Sequence, residues 1–270
     1  MSAIFFTTGC MERTSPVVDS IGVDTLMADS VETDSLSDMV DETPMPVAAD
    51  ELFDDFFFNF AASRKVQNDR IIFPLPVDNY GKKKSVSKSG WVRERFFMNQ
   101  GYYTLIFNSY KQTSLLKDTA VNNVTVERIS VSNNKVTRWH FARTKGLWHL
   151  DGMRTMTLSQ HPDAAFLRFY DKFVSDSVFQ QQSLAETVSF TGPDPDDDFS
   201  TMTGEIMPEQ WPMFAPQLPS GTLYNIVYGT EAYPASSIRL FLIRGIANGL
   251  QIDMHFVRQG GSWMLKKINT

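Results

Sequence analysis

Hydrophobic positions along this chain follow two periods, one helical and one strand-like, and each is written twice. Phe53, Phe56, Phe57 and Phe60 fall at i, i+3, i+4 and i+7, the stripe of a helix that turns one face to a core. Phe166, Phe169, Tyr170 and Phe173 repeat the stripe 113 positions later, behind a Pro162-Asp163 pair suited to a first helical turn. Shorter helices are predicted over 63–70 and 177–186, with strand-like runs at 71–73 and 187–190.

Alternating runs come next in each half. Strands are predicted at 102–108 and 223–228, then hairpins pairing 124–131 with 136–143 and 238–246 with 250–258. Asn133-Asn134 and Asn248-Gly249 mark the turns, because Asn and Gly tolerate the positive φ that tight hairpins need. The last two strands carry the plainest copy: His140-Phe-Ala-Arg-Thr-Lys-Gly-Leu-Trp-His-Leu150 against His255-Phe-Val-Arg-Gln-Gly-Gly-Ser-Trp-Met-Leu265. His, Phe, Arg, Gly, Trp and Leu keep their order at a constant offset of 115. Side-chain alternation puts Trp139, Phe141 and Arg143 on one face and His140 on the other, with Phe256 and His255 divided alike. The small, mixed second faces are expected to pack sheet against sheet about a pseudo-two-fold axis.

Between these elements the halves diverge. Lys82-Lys83-Lys84 reads as a solvated loop, whereas the second half carries Pro193-Asp-Pro-Asp-Asp-Asp198 and then Pro208 to Phe214, an aromatic loop. Helices followed by antiparallel strands in about a hundred residues make an α+β unit with helices on one sheet face. The expected organisation is an N-terminal piece 1–10, a disordered acidic tether 11–49, and tandem units at 50–155 and 156–270. Residues 11–50 hold ten carboxylates against Arg13, a net of −9, which leaves +3 on the remainder of a chain whose total is −6. So weak a positive balance argues against nucleic acid as a partner. No run approaches the roughly 20 apolar residues of a spanning helix.

The order of elements and the closing Gly-x-Trp-x-Leu strands resemble the nuclear transport factor 2-like (cystatin-like cone) superfamily. The phrases Phe56-Phe-Phe-Asn-Phe60, Phe73-Pro-Leu-Pro, Gln210-Trp-Pro, Tyr224-Asn-Ile-Val-Tyr-Gly and Gly245-Ile-Ala-Asn-Gly, with the Pro193–Asp198 phrase, are similar to a domain-of-unknown-function family of Bacteroidetes envelope proteins. The resemblance spans about residues 50–270. It implies two tandem cones, each with helices on a curved antiparallel sheet, and a place in the cell envelope; it brings no assigned activity.

Candidate chemistry is sparse. Cys10, the single cysteine, ends Thr7-Thr8-Gly9-Cys10, which is similar to a lipoprotein lipobox but lacks a basic start and a full apolar stretch. One reading is a start codon placed too late and an outer-membrane lipid anchor on Cys10; the other is a chance match in an acidic tail. Asp194, Asp196, Asp198 and Glu205 occupy positions 1, 3, 5 and 12 of a calcium-loop pattern, with Phe199 where Gly belongs. A structural Pro/Asp turn is the competing reading. Asp253 and His255 share a face and suit a carboxylate-oriented base for a hydrolase or isomerase. Tyr170, Trp211, Tyr224 and Tyr228 in the second half, with Tyr103 and Trp139 in the first, are candidate walls of ligand pockets or plain core. The expectation is a non-enzymatic envelope lipoprotein without a cofactor, binding a small apolar or aromatic molecule or a protein partner, or serving as a purely structural interaction module.

Overall fold

Four phenylalanines decide where the first helix sits. A computed structural model describes residues 47–194, 196–229 and 236–270. Cys10 and the acidic tether as far as residue 46 lie outside them. Helix α1 (Phe53–Ala62) buries Phe53, Phe56, Phe57 and Phe60, each burial contributing roughly 1.5–3 kcal/mol. Ser63 ends it and caps α2 (Arg64–Arg70), its hydroxyl accepting from Val66 N at 3.1 Å. The second half repeats the device 113 residues on. Helix α3 (Ala164–Ser175) buries Phe166, Tyr170 and Phe173, and Asp176 caps α4 (Ser177–Gln182), accepting from Phe179 N at 2.9 Å. A one-turn α5 (Trp211–Phe214) completes the α-helices among the described residues.

Among the described residues there are twelve strands, six in each half. The first six are β1 (Leu75–Asn79), β2 (Lys82–Val86), β3 (Tyr102–Phe107), β4 (Asn123–Ser130), β5 (Lys135–Thr144) and β6 (Leu147–Thr157). The second six are β7 (Leu184–Asp194), β8 (Asp197–Ile206), β9 (Thr222–Tyr228), β10 (Ile238–Gly245), β11 (Gln251–Gln259) and β12 (Ser262–Asn269). They form one sheet in the order β2-β1-β6-β5-β4-β9-β3-β10-β11-β12-β7-β8. The expected packing of two separate sheets face to face is therefore overturned: the halves join edge to edge.

The join is an exchange. β4 of the first half pairs antiparallel with β9 of the second over seven residues, and β10 of the second pairs with β3 of the first over six. Each half's sheet thus ends on the other's third strand. At the centre β3 and β9 meet in parallel through a single pair, Thr104 and Asn225, and the Thr104 hydroxyl donates to Tyr224 O at 3.0 Å. An operation that swaps two neighbouring parallel strands must turn the sheet over, so the helices of the two halves belong on opposite faces. The cores agree. Along β3, Tyr103, Leu105 and Phe107 enter the core of α1, whereas Ile106 enters the core of α3. Both halves fall within one compact unit, so 50–155 and 156–270 are not separate bodies.

Two loops of the sequence reading are strands. Lys82-Lys83-Lys84 forms the sheet's outer strand β2, where lysines discourage pairing with another chain. The acidic phrase lies in the β7–β8 hairpin, in which Asp194 faces Asp197. Conversely, 71–73 contributes only an isolated bridge, Ile71 to Leu150. Neither outer strand is buried on both faces, and charged or turn-forming residues there mask the period-2 signal.

Candidate functional site

Strands β10, β11 and β12 line up two cross-strand rows on the face turned away from α3. Leu240, His255 and Lys267 form one row, and Leu242, Asp253 and Asn269 the next. The neighbouring residues Met254 and Phe256 point the other way, into the α3 core. A 3-10 helix, Tyr110–Lys117, lies over these rows. Its tight turn is held by Thr113 Oγ1 donating to Tyr110 O and Ser114 Oγ to Lys111 O, at 2.7 and 2.8 Å. Strand rows and 3-10 helix line a small cleft of about 80 Å³, with Tyr110 and Thr113 on one wall and Leu240 and Leu242 on another.

His255 is the pivot of this cleft. Its Nδ1 shares a hydrogen bond with the Tyr110 hydroxyl at 3.1 Å, and the two rings stand 5.3 Å apart in an edge-on arrangement. Nε2 of His255 and Oδ1 of Asn269 are buried without a hydrogen-bond partner among the described residues, an arrangement that a bound group can satisfy. Burial, and then the Lys267 ammonium, push the imidazole pKa below its ordinary value. Burial, and then Asp253, push the Tyr110 phenol up. At neutral pH the imidazole is therefore uncharged and the phenol protonated.

The alternative acid/base pair, Asp253 with His255, is not formed. Asp253 accepts from Arg244 instead, and His255 turns to Tyr110. The carboxylate–imidazole contact is found in the first half, where His140 Nδ1 and Asp151 Oδ1 are 2.5 Å apart. A register shift between His140 and Phe141 brings Asp151 beside the ring, and the same shift follows His255 in β11. At the offset of 115, however, the second half carries Lys266. His140 heads its own, more open cleft, of about 320 Å³, with Thr125, Arg138, Asp151, Gly152 and Arg154.

Behind that cleft lies a buried ionic cluster that the sequence reading missed. Glu127 on β4 is fully buried and accepts from Asn225 Nδ2 at 2.9 Å. Arg138 Nε lies 2.9 Å and His161 Nε2 3.1 Å from the same carboxylate. His161 Nδ1 accepts from Asp163 N, which leaves Nε2 to carry the proton toward Glu127. Asp163 in turn accepts from Arg239 Nε at 2.7 Å, and that guanidinium stacks over Trp263. Burial opposes the charge of Glu127, but His161, then Arg138 and Asn225, outweigh it and hold the carboxyl below its ordinary pKa. A glutamate inside the apolar run 124–131 was the available signal.

A family model described as Domain of unknown function (DUF4348) matches residues 32–270 of this chain. The chain belongs to that family. Among solved structures it is similar to the crystal structure of an NTF2-like protein from Bacteroides fragilis NCTC 9343, at 34% sequence identity and a TM-score of 0.75. The match covers 84% of this chain and 98% of the other. The α+β architecture with an NTF2-like fold is thus shared with a relative of known structure. No curated protein matches the chain.

In this DUF4348 protein the other anticipated site residues go elsewhere. Trp139, Trp211, Tyr103, Tyr170, Tyr224 and Tyr228 are all buried, and they do not meet around one opening. Tyr103 stacks on Phe97 at 5.0 Å, Trp211 donates to Gln180 Oε1, and Tyr170 donates to Pro219 O beside a narrow crevice. The Tyr228 hydroxyl donates to Asp54 of α1. The strand exchange puts Tyr224 and Tyr228 of the second half into the first half's core, with Tyr103 and Trp139. Of the acidic phrase, Asp194 accepts from Asp196 N at 2.9 Å and Asp197 from Phe199 N at 3.0 Å, which are turn contacts. Glu205 is paired far along the ladder, opposite Ser189. Pro195 and the Asp198 side chain lie outside the described residues. Among the described residues no three His, Cys, Asp or Glu side chains gather as a metal would require.

Proposed function

We propose that this protein is a non-enzymatic binding module that takes a small, uncharged polar molecule into the Tyr110–His255 cleft. The observation that carries the reading is the pair of unsatisfied buried atoms there, His255 Nε2 and Asn269 Oδ1. With Tyr110 donating to Nδ1, Nε2 carries a proton and donates, while Asn269 Oδ1 accepts. The two call for a ligand with an acceptor and a donor on one face, such as an amide, against the Leu240 and Leu242 side chains. Titrating the full chain with N-methylacetamide while following the histidine ring signals by NMR tests it. Saturable movement of His255 that Tyr110→Phe weakens supports the reading, and an unmoved His255 with every small amide tried removes it.

The chain itself is read as one nuclear transport factor 2-like module copied in tandem, with the third strands exchanged. Support comes from the repeated helix break at Ser63 and Asp176, the repeated bulge after each His, and matching turn bonds, Arg143 Nε to Gly146 O and Arg258 Nε to Gly261 O, both 3.3 Å. Cys10 is proposed as the lipid attachment that would hold the module at the cell envelope. The Thr7-Thr8-Gly9-Cys10 phrase and the acidic stretch that follows are the support. Metabolic labelling with a clickable fatty acid checks this in the native host, and the anchor is abandoned if Cys10→Ser takes up as much label as the parent chain.

A further inference from the structure

Arg70 and its counterpart differ in a way that opens a cleft in the second half. At the end of α2, Arg70 lies over the Phe56 ring at 5.7 Å, donates to Trp148 O at 3.2 Å and grips Asp50. The offset of 113 that carries Ser63 to Asp176 and Phe56 to Phe169 puts Ser183 in its place. Strand pairing supports the alignment, since Ile71 bridges Leu150 as Leu184 pairs with Leu265. Asp163 has no need of such an arginine, because Arg239 of β10 holds its carboxylate from within the core.

The short side chain leaves room where the long one lay. Phe169, Trp263 and Ser183, the counterparts of Phe56, Trp148 and Arg70, line a cleft of about 410 Å³ with Phe179. That volume is within the roughly 300–1,000 Å³ of small-molecule sites. Phe56 is fully buried, whereas Phe169 is only half-buried, so a ligand that covers its ring removes apolar surface from water. Of the described residues that line the cleft, Arg258 alone is charged. Its Nε donates to Gly261 O, and its terminal nitrogens have no partner among the described residues. Arg143, its counterpart, spends Nη1 on Thr119 O at 2.8 Å. Lys172 adds positive charge, its Nζ 4.2 Å from the centre of the Phe179 ring. The nearest aspartates are engaged, Asp163 by Arg239 and Asp176 by Phe179 N.

From this geometry we propose that the cleft between α3, α4 and the β11–β12 turn is a second binding site, one for a small aromatic carboxylic acid. The ring of the ligand lies against Phe169, Phe179 and Trp263, where edge-on and offset aromatic contacts add to plain burial. Its carboxylate meets the Arg258 guanidinium, whose planar fork matches two carboxylate oxygens. The site lies on the α3 side of the sheet and does not rest on the reading of the Tyr110–His255 cleft.

The test titrates the full chain with sodium phenylacetate, and separately with 2-phenylethanol, which has a similar body without the carboxylate. The methyl signal of Met264, on the cleft wall, reports this site by NMR, and the His255 ring signals report the other cleft in the same sample. A saturable shift of Met264, reached at lower concentration with phenylacetate than with phenylethanol, is the expected result. Arg258→Gln should weaken phenylacetate about tenfold, the loss of one charge-assisted contact, and leave phenylethanol unchanged. Ser183→Arg, which restores the side chain of the first half, should block both probes. Ser183 is buried, so Ala165→Trp at the exposed rim provides a second block that leaves the core intact. The proposal is overturned if phenylacetate leaves Met264 unmoved, if it binds no more tightly than phenylethanol, or if Arg258→Gln and Ala165→Trp both bind it as the parent chain does.

Discussion

Trp148 and Trp263 hold the same place in the two halves. The ring of Trp148 stands 5.0 Å from that of Phe53 at 77°, and the ring of Trp263 stands 5.3 Å from that of Phe166 at 78°. Each pins the first turn of its helix to the closing strand. The aspartates just ahead of the two helices add a polar tie. Asp50 accepts from Trp148 N at 3.0 Å and is gripped by both terminal nitrogens of Arg70, while Asp163 holds the Arg239 that lies over Trp263.

Equivalent surroundings predict equivalent losses. Trp148→Ala and Trp263→Ala should each cost about 3–5 kcal/mol, within about 1 kcal/mol of each other, in urea unfolding followed by circular dichroism. A near-neutral effect at either position would show that the two contacts do not bear equal weight.

Glu127 predicts a sensitivity to acid. Its folded pKa lies below the ordinary 4.5, so its charge stabilises the fold fully above that value. The contribution is lost as pH falls below 4.5 toward the folded pKa. Glu127→Ala leaves Arg138 and His161 facing a buried gap and should cost about 3–5 kcal/mol at pH 7. Melting temperatures from pH 3 to 7 check both, and the acid step should be smaller in the variant.

His255 works in a higher range. Its folded pKa is below 6.5, so between 6.5 and that value the unfolded chain takes up a proton that the cleft refuses, and stability declines as pH drops. The group is partly exposed, so the step should be small and should vanish in His255→Gln. Amide binding should fade over the same range as the protonated imidazole displaces the Tyr110 hydrogen bond. Ring-proton titration by NMR locates the window.

The exchanged strands predict interdependence. Residues 50–155 alone lack the partner for β4, so this fragment should not give a folded monomer. Mixed with 156–270 it should form a one-to-one complex with the spectrum of the intact chain. Size-exclusion chromatography with light scattering distinguishes these outcomes; a stable monomeric first half would contradict the exchange.

Much of this architecture was legible in the pattern of residues. The phenylalanine stripes and the hairpins before each Trp strand follow from periodicities of 3.6 and 2, which local sequence records directly. Partner choice is different. β4 accepts β9 or β3 equally well by period, since Leu-Ile-Phe at 105–107 and Ile-Val-Tyr at 226–228 present similar alternation, and nothing local says which one will pair. The sites suffered for the same reason. Asp253 and His255 share a face as predicted, but Arg244 and Tyr110, brought in by other elements, take each of them separately. Glu127, His161 and Asn225 come from three distant segments, and no spacing announces their meeting.

Synthesis order gives the join between β4 and β9 a further meaning. When residues 50–155 have left the ribosome, their own third strand is already present, yet it belongs to the sheet of a module that has not been made. The β4 edge meets its final partner only after translation has passed Tyr228, and the late half then finds its border strand already made. Closure of the whole sheet is therefore a post-translational event of long sequence separation, with the slow folding that such separations bring. In that interval the bare strand edge is a place where a chaperone would have something to hold.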